Sequence, residues 1–173
     1  MPSAPSRIVA YALAGAAALL LSACGFQLRG AAALPFDTLY MPPANVSGVA
    51  LDLKRSIQSG TGTVVVDDPK KADAILEFSQ EAREKQILSL AANGRVREFQ
   101  LRYRVAFRVH DGKGGEFLPS STLQLTRDVT FNDSDVLAKE SEEQLLYRDM
   151  QFDMVQLIMR RLSAAQRPKP AAS

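Results

Sequence analysis

Three observations predict an α+β fold, a two-layer sandwich in which a mostly antiparallel sheet carries two helices on one face. Residues 99–110 alternate between apolar and polar side chains, the signature of a strand with one buried face. One amphipathic stretch precedes the strand-rich centre and another follows it, each with apolar residues at helical spacing. Turn chemistry divides the centre into three long strands, so the predicted order is strand, helix, strands, helix.

The elements follow from the N-terminus. A short basic region ends at Arg7, residues 8–21 are apolar, and Leu21-Ser22-Ala23 places small residues before Cys24. The apolar run falls short of the roughly 20 residues a bilayer span needs, so residues 1–23 read as an export signal. Cys24 is the only cysteine, so no disulfide can form within one chain, and its position resembles the lipobox of bacterial lipoproteins, where the sulfur carries diacylglycerol. Residues 24–165 are then expected to form one domain behind a lipid tether, and residues 166–173, with two prolines and no apolar period, a disordered tail. With Arg7 removed, 20 Lys and Arg face 19 Asp and Glu, too even a balance for bulk attraction to nucleic acid, which export also excludes.

Residues 38–41 read as a short strand stopped by Pro42-Pro43. Val49, Leu53 and Ile57 put one apolar stripe on a helix over residues 46–59, closed by Gly60. A β-branched run, residues 63–66, leads into the turn Asp67-Asp68-Pro69 and a long strand from Ala74. In the next strand Phe99, Leu101, Tyr103, Val105, Phe107 and Val109 form the face expected to be buried. Gln100, Arg102, Arg104, Arg108 and His110 form the polar, basic one. Asn93-Gly94 suits the positive φ angles of a tight hairpin, and Asp111-Gly112-Lys113-Gly114-Gly115 marks a second turn into residues 117–131. The last helix, roughly residues 139–162, carries Leu146, Met150, Met154, Leu157, Ile158 and Leu162 on one stripe, and it starts either with Ser141 and Gln144 as a capping box or a few residues earlier. Leu145, Phe152, Val155 and Met159 lie off that stripe, either widening the core contact or meeting something beyond the sheet.

The residues offer no catalytic constellation, no metal set and nothing that calls for a cofactor. His110 is the only histidine and has no second member for a triad or a histidine metal site; beside a turn it is expected to be solvated. Asp67-Asp68 and Glu142-Glu143 read as turn and helix solvation. Arg102, Arg104 and Arg108 are a candidate anion face, without interleaved aromatics for base stacking. Apolar residues run through the expected tip at Ile87-Leu88-Ser89-Leu90-Ala91-Ala92, which either folds back over the core or meets a partner or a lipid.

Taken together, Cys24-Gly25-Phe26-Gln27-Leu28-Arg29, Asn93-Gly94 at the long hairpin, Leu137-Ala138-Lys139 entering the last helix and Gln156-Leu157-Ile158-Met159-Arg160-Arg161-Leu162 near its end resemble the LptE family of lipopolysaccharide-assembly lipoproteins. The resemblance covers essentially the whole chain after Cys24. It implies a non-enzymatic outer-membrane lipoprotein, anchored on the periplasmic side, that plugs and helps assemble the β-barrel LptD and binds lipopolysaccharide on its way to the outer leaflet. Gly25, where an Asp would signal inner-membrane retention, agrees with that location. Lys139 matches a basic family position associated with lipopolysaccharide. Just before Asn93-Gly94, where some relatives carry a second basic residue, this chain has Ala92, and Arg95 and Arg97 stand near enough to take its place. The alternative reading is a structural or adaptor lipoprotein of the outer membrane that does not touch lipopolysaccharide.

Overall fold

The computed structural model describes residues 33–42, 48–131 and 136–168; Cys24 and the expected signal lie outside them. The elements are β1 (Thr38–Tyr40), α1 (Gly48–Gly60), β2 (Val64–Val66), a single 3-10 turn (Pro69–Lys71), β3 (Ala74–Leu90), β4 (Val96–His110), β5 (Glu116–Thr130) and α2 (Val136–Ser163). They build the expected α+β sandwich: one five-stranded sheet in the order β2-β1-β3-β4-β5. The long strands pair antiparallel, whereas β1 runs parallel to both β2 and β3, with Leu39 opposite Val65 and Ala74. A parallel pair needs a long crossover, and α1 supplies it between β1 and β2.

The two helices meet over the apolar face of the sheet. Val49, Leu53 and Ile57 of α1 and Met150, Met154, Ile158 and Leu162 of α2 share one core with Leu101, Tyr103, Val105, Phe107 and Val109 of β4. Each fully buried side chain of this size contributes roughly 1.5–3 kcal/mol, so the α2 stripe and the β4 face are the main source of cohesion. Phe99, expected in the core, is only half-buried because it lies toward the end of the sheet that the helices leave less covered, and Ala106, on the polar side, is buried.

α1 ends at Gly60, as expected, although without a left-handed residue: Gly94, Gly112 and Gly114 are the positive-φ residues among those described, and Thr61 caps the helix by donating from N and Oγ1 to the Ile57 carbonyl at 3.1 and 2.8 Å. Two local expectations are corrected. α2 starts at Val136, so Ser141 is an interior residue whose hydroxyl donates to the Leu137 carbonyl at 3.1 Å rather than a cap. In the β3–β4 hairpin Asn93 keeps a negative φ and only Gly94, at +79°, is left-handed. The turn closes with Gly94 N donating to Ala91 O (2.9 Å), Ala91 N to Arg95 O (2.8 Å) and Arg95 N to Asn93 Oδ1 (3.2 Å). That is a three-residue loop ending on a left-handed glycine, not a two-residue turn.

Candidate functional site

β3 rises for 17 residues, about 50 Å at strand pitch, and carries the β3–β4 turn far from β1. The two ends of the sheet can therefore be considered separately as places for chemistry.

At the β1 end a cleft of about 720 Å³ is lined by Pro35, Asp37, Asp73, Asp111, Lys113 and Arg167, among others. Its carboxylates are engaged in shaping the backbone. Asp73 Oδ2 accepts from Thr38 N (3.0 Å) and Asp37 N (3.2 Å), and Asp111 Oδ1 accepts from Lys113 N (2.7 Å) and Gly115 N (2.8 Å). Hydrogen bonds from Thr38, its side chain foremost, hold the Asp73 carboxyl below the usual range, and the backbone N–H of Lys113, then of Gly115, does the same for Asp111. Arg167, in the segment expected to be a tail, donates from Nε to Pro35 O at 2.6 Å and so ties the chain after α2 to the start of the domain.

His110 is not the solvated turn residue expected. Its side chain is largely covered, Nδ1 accepts from Gly112 N at 3.0 Å, and Nε2 lies 3.4 Å from Glu77 Oε1, too poorly directed for a hydrogen bond although Nε2 is otherwise buried and unpartnered. Glu77 is bound more firmly by Arg108, at 2.6 and 2.7 Å, and that bond is the main cause of its lowered pKa. The basic face of β4 is likewise compensated: Arg102 and Arg104 each approach Glu84 at 3.6 Å, and Gln100 donates to Asp128 at 3.1 Å. Three arginines thus share the outer sheet face with Glu77, Glu84 and Asp128, a polar surface largely compensated by its own acids, although Arg102 Nε is buried without a hydrogen-bond partner.

A second polar network, on the helix side, was not anticipated. β3 shifts register between Phe78 and Gln80, and beyond that bulge Glu81, Arg83 and Lys85 stand opposite the buried Val105, Tyr103 and Leu101. Two of them answer α2, Lys85 Nζ to Glu143 at 2.5 Å and Arg83 to Gln151 at 2.6 Å, while Glu81 accepts from the hydroxyl of Tyr103 on β4 at 2.5 Å. Burial first, and Glu81 second, raise the Tyr103 pKa; burial also raises that of Tyr147, whose hydroxyl donates to Glu84 O. The signal available was the run Glu81-Ala82-Arg83-Glu84-Lys85, charged at alternate positions as a seam rather than a core strand requires.

The far end of the hairpin is different. Ile87, Leu88 and Leu90 are 59%, 47% and 57% exposed, so the tip does not fold back over the core. Register shifts on either side of Ser89 break the strand alternation there, and no acidic residue occurs between Gln86 and Arg97. Arg95 and Arg97 are exposed on this turn. Lys139, expected at or before the helix start, is the fourth residue of α2; its side chain is 23% exposed and its Nζ lies 2.7 Å from Glu142 Oε2. α2 is held at the same end of the sheet by Lys85–Glu143 and by Phe131 N donating to Arg97 O at 2.9 Å just before the helix. The structure therefore places Arg95 and Arg97 together and Lys139 at their end of the sheet, on a different element. Of the side chains off the α2 stripe, Val155 and Met159 join the core while Leu145 and Phe152 are exposed.

Fold and site together define a scaffold that displays one apolar, cationic end of a long hairpin. Comparison with known proteins gives that scaffold a family. The family model for LptE, lipopolysaccharide assembly, matches residues 36–162. LPS-assembly lipoprotein LptE of Yersinia enterocolitica is 28% identical over 153 residues, 87% of this chain and 73% of its own, and that of Yersinia pestis is 28% identical over 155 residues with the same coverage. Among solved structures, the uncharacterized lipoprotein B of Nitrosomonas europaea aligns with a TM-score of 0.70 and 44% identity over 81% of this chain and 91% of that one. The rare lipoprotein B of Shewanella oneidensis, at 22% identity and a TM-score of 0.64 over 73% of this chain and 94% of that one, shares the fold. The chain belongs to the LptE family of lipopolysaccharide-assembly lipoproteins. No described helix is long and apolar enough to cross a membrane.

Proposed function

We propose that this protein is a non-enzymatic outer-membrane lipoprotein, held on the periplasmic side by lipid on Cys24, that plugs and helps assemble an LptD-like β-barrel and binds lipopolysaccharide as it moves to the outer leaflet. The observation that carries the binding half of this reading is the placement of Arg95, Arg97 and Lys139 at the hairpin end farthest from β1. Lys is a point charge suited to phosphate, and the phosphates of lipid A are the anionic groups it would meet. The internally paired polar face of the sheet supports the plug half, because the lumen of a large barrel is polar and wet.

Lys139→Glu reverses one of the three charges at a partly covered position outside the core. Lipopolysaccharide binding by the purified protein should weaken, with the loss shrinking as salt screens the site, while the melting temperature and co-purification with the barrel stay near wild type. Unchanged binding at low salt removes Lys139 from the site. Barrel co-purification without any lipopolysaccharide binding by the wild-type protein replaces the proposal with the adaptor reading.

A further inference from the structure

We propose that Ile87, Leu88 and Leu90 form a subsite for the acyl chains of a single anionic lipid whose phosphorylated head is met by Arg95 and Arg97. The inference rests on the lipopolysaccharide-binding reading and says which part of that molecule the tip takes.

Three large aliphatic side chains, each about half exposed, lie within four residues at the end of a hairpin whose body places Leu76, Leu101, Tyr103, Val105, Phe107 and Val109 in the core. Isolated exposed aliphatics are ordinary on protein surfaces, but a cluster at a protruding tip marks a contact. The local backbone is built to keep them out of the core. Shifts from Ile87 to Ser89 and from Ser89 to Leu90 interrupt the period-2 rule that would sort these side chains strictly to one face or the other. Ser89 uses its hydroxyl locally, donating to Glu98 Oε2 at 2.5 Å, so the one polar side chain of the segment is turned to the partner strand and the aliphatic ones are left on display.

The charges select the occupant. From Gln86 to Arg97 the chain has two arginines and no acid, and the acid that follows, Glu98, is the acceptor of the Ser89 bond. Apolar side chains bounded by cations on one turn complement an amphiphile with an anionic head, whereas a neutral apolar peptide would gain nothing from the arginines. The geometry favours one lipid molecule over a bilayer surface. The tip stands about 50 Å along β3 from the β1 end of the sheet. Three aliphatic side chains match one or two acyl chains and not an insertion surface.

The test is photocrosslinking in cells making the full chain, with benzoylphenylalanine replacing Leu88, Arg95 or, as a control at the opposite turn, Lys113. The expected result is a lipid A adduct at positions 88 and 95 and none at 113. Fragmentation should place the new bond on an acyl chain for 88 and on the head group for 95. Ile87→Ser, Leu88→Ser and Leu90→Ser combined should reduce the adduct at 95 about tenfold, the loss expected when a few aliphatic groups no longer leave water. A milder combination, the same three residues changed to Ala, covers the case in which the serine variant folds poorly and should show a smaller loss in the same direction. Lipid A adducts at 95 but none at 88, or an adduct at 95 undiminished by either combination, overturn the acyl subsite and leave the lipopolysaccharide reading standing. Absence of lipid A adducts at both 88 and 95 overturns both. Phospholipid adducts alone at 88 overturn the single-lipid occupant in favour of a bilayer contact.

Discussion

The two ends of β4 make opposite use of a hairpin turn. After His110 the chain turns through Asp111–Gly115, where Asp111 Oδ1 accepts from two backbone N–H groups, Gly112 and Gly114 take positive φ, and His110 Nδ1 accepts a third N–H. Before Val96 it turns through Ala91–Arg95 with one positive-φ glycine, one side-chain bond to the backbone and exposed aliphatic residues on the adjoining strand. The first turn spends its polar groups on its own backbone. The second leaves cations and apolar surface at the solvent boundary. The basic face of β4, compensated by Glu77, Glu84 and Asp128, is therefore a weaker binding candidate than the tip, where no acidic residue occurs between Gln86 and Arg97.

The largest expected effect tests what both ends depend on, the β4 core between them. Phe107 is 1% exposed and its ring stands 6.4 Å from that of Phe78. Truncation to Ala should cost about 3–5 kcal/mol, a large share of the roughly 5–15 kcal/mol that holds a domain together, and lower the melting temperature sharply. Arg104→Ala, on the opposite face, loses a Glu84 contact at 3.6 Å and should cost no more than about 1 kcal/mol. Equal losses in the two variants would reverse the assignment of faces.

Those faces were legible from sequence because a strand covered on one side writes a period of two into its residues. The stripes of α1 and α2 were legible for the same reason at the helical period, and they led to the right layers. The parallel placement of β1 was not readable, since three residues, Thr38–Tyr40, carry too little periodicity to name a neighbour on either side. Nor was the start of α2: Leu137 is 80% exposed, so the first turn of the helix contributes nothing to the stripe that reveals the rest. The bulge after Phe78 hid the polar seam of Glu81, Arg83 and Lys85 by changing which alternate residues of β3 face the helices. For the site, the turn with its cations and Lys139 on the last helix were visible, whereas their sharing one end of the sheet depended on pairings that no local pattern encodes.

An intermediate effect sets the turns against each other directly. A methyl group on Gly115 would stand 2.5 Å from Asp111 Oδ2 and 2.8 Å from Pro168 Cβ. Asp111 cannot swing away, because its other oxygen is held by two backbone N–H groups. Gly115→Ala should therefore cost about 1–3 kcal/mol by overpacking, read as a lowered urea midpoint with unchanged slope. Gly94 has nothing within 4 Å of such a methyl group, and its difficulty is the backbone, at φ +79°. Gly94→Ala should cost about 1 kcal/mol from that conformation alone. Shortening the chain to end at Ala165 should recover part of the Gly115→Ala loss and none of the Gly94→Ala loss; equal recovery would mean that the tail does not pack on the β4–β5 turn.

The smallest effect is acid sensitivity, and it should belong to one end only. Asp73 and Asp111, held by hydrogen bonds from Thr38 and from the Lys113 and Gly115 backbone, and Glu77, held chiefly by Arg108, all have pKa values lowered in the folded protein. A carboxyl that ionises more readily folded than unfolded adds stability once the pH is above its unfolded value, and that contribution disappears as protonation proceeds through the lower folded value. Here the ordinary values are 3.8 for the two aspartates and 4.5 for Glu77, so the contribution is complete above this range and is lost progressively as the pH falls through and below it. Unfolding free energy measured by urea should be flat from about pH 7 to about pH 5.5 with respect to these groups and decline toward about pH 3. Asp73→Asn and Asp111→Asn together should lower stability at neutral pH and flatten that decline, because an amide cannot gain the proton whose uptake drives it. Changing Ile87, Leu88 and Leu90 to Ser, at a tip with no acid between Gln86 and Arg97, should leave the slope with pH as in wild type. A slope unaffected by the two Asn changes would show that the Asp73 and Asp111 hydrogen bonds are equally strong to the protonated carboxyls, and the β1 end would then be shaped by its glycines and its packing without help from charge.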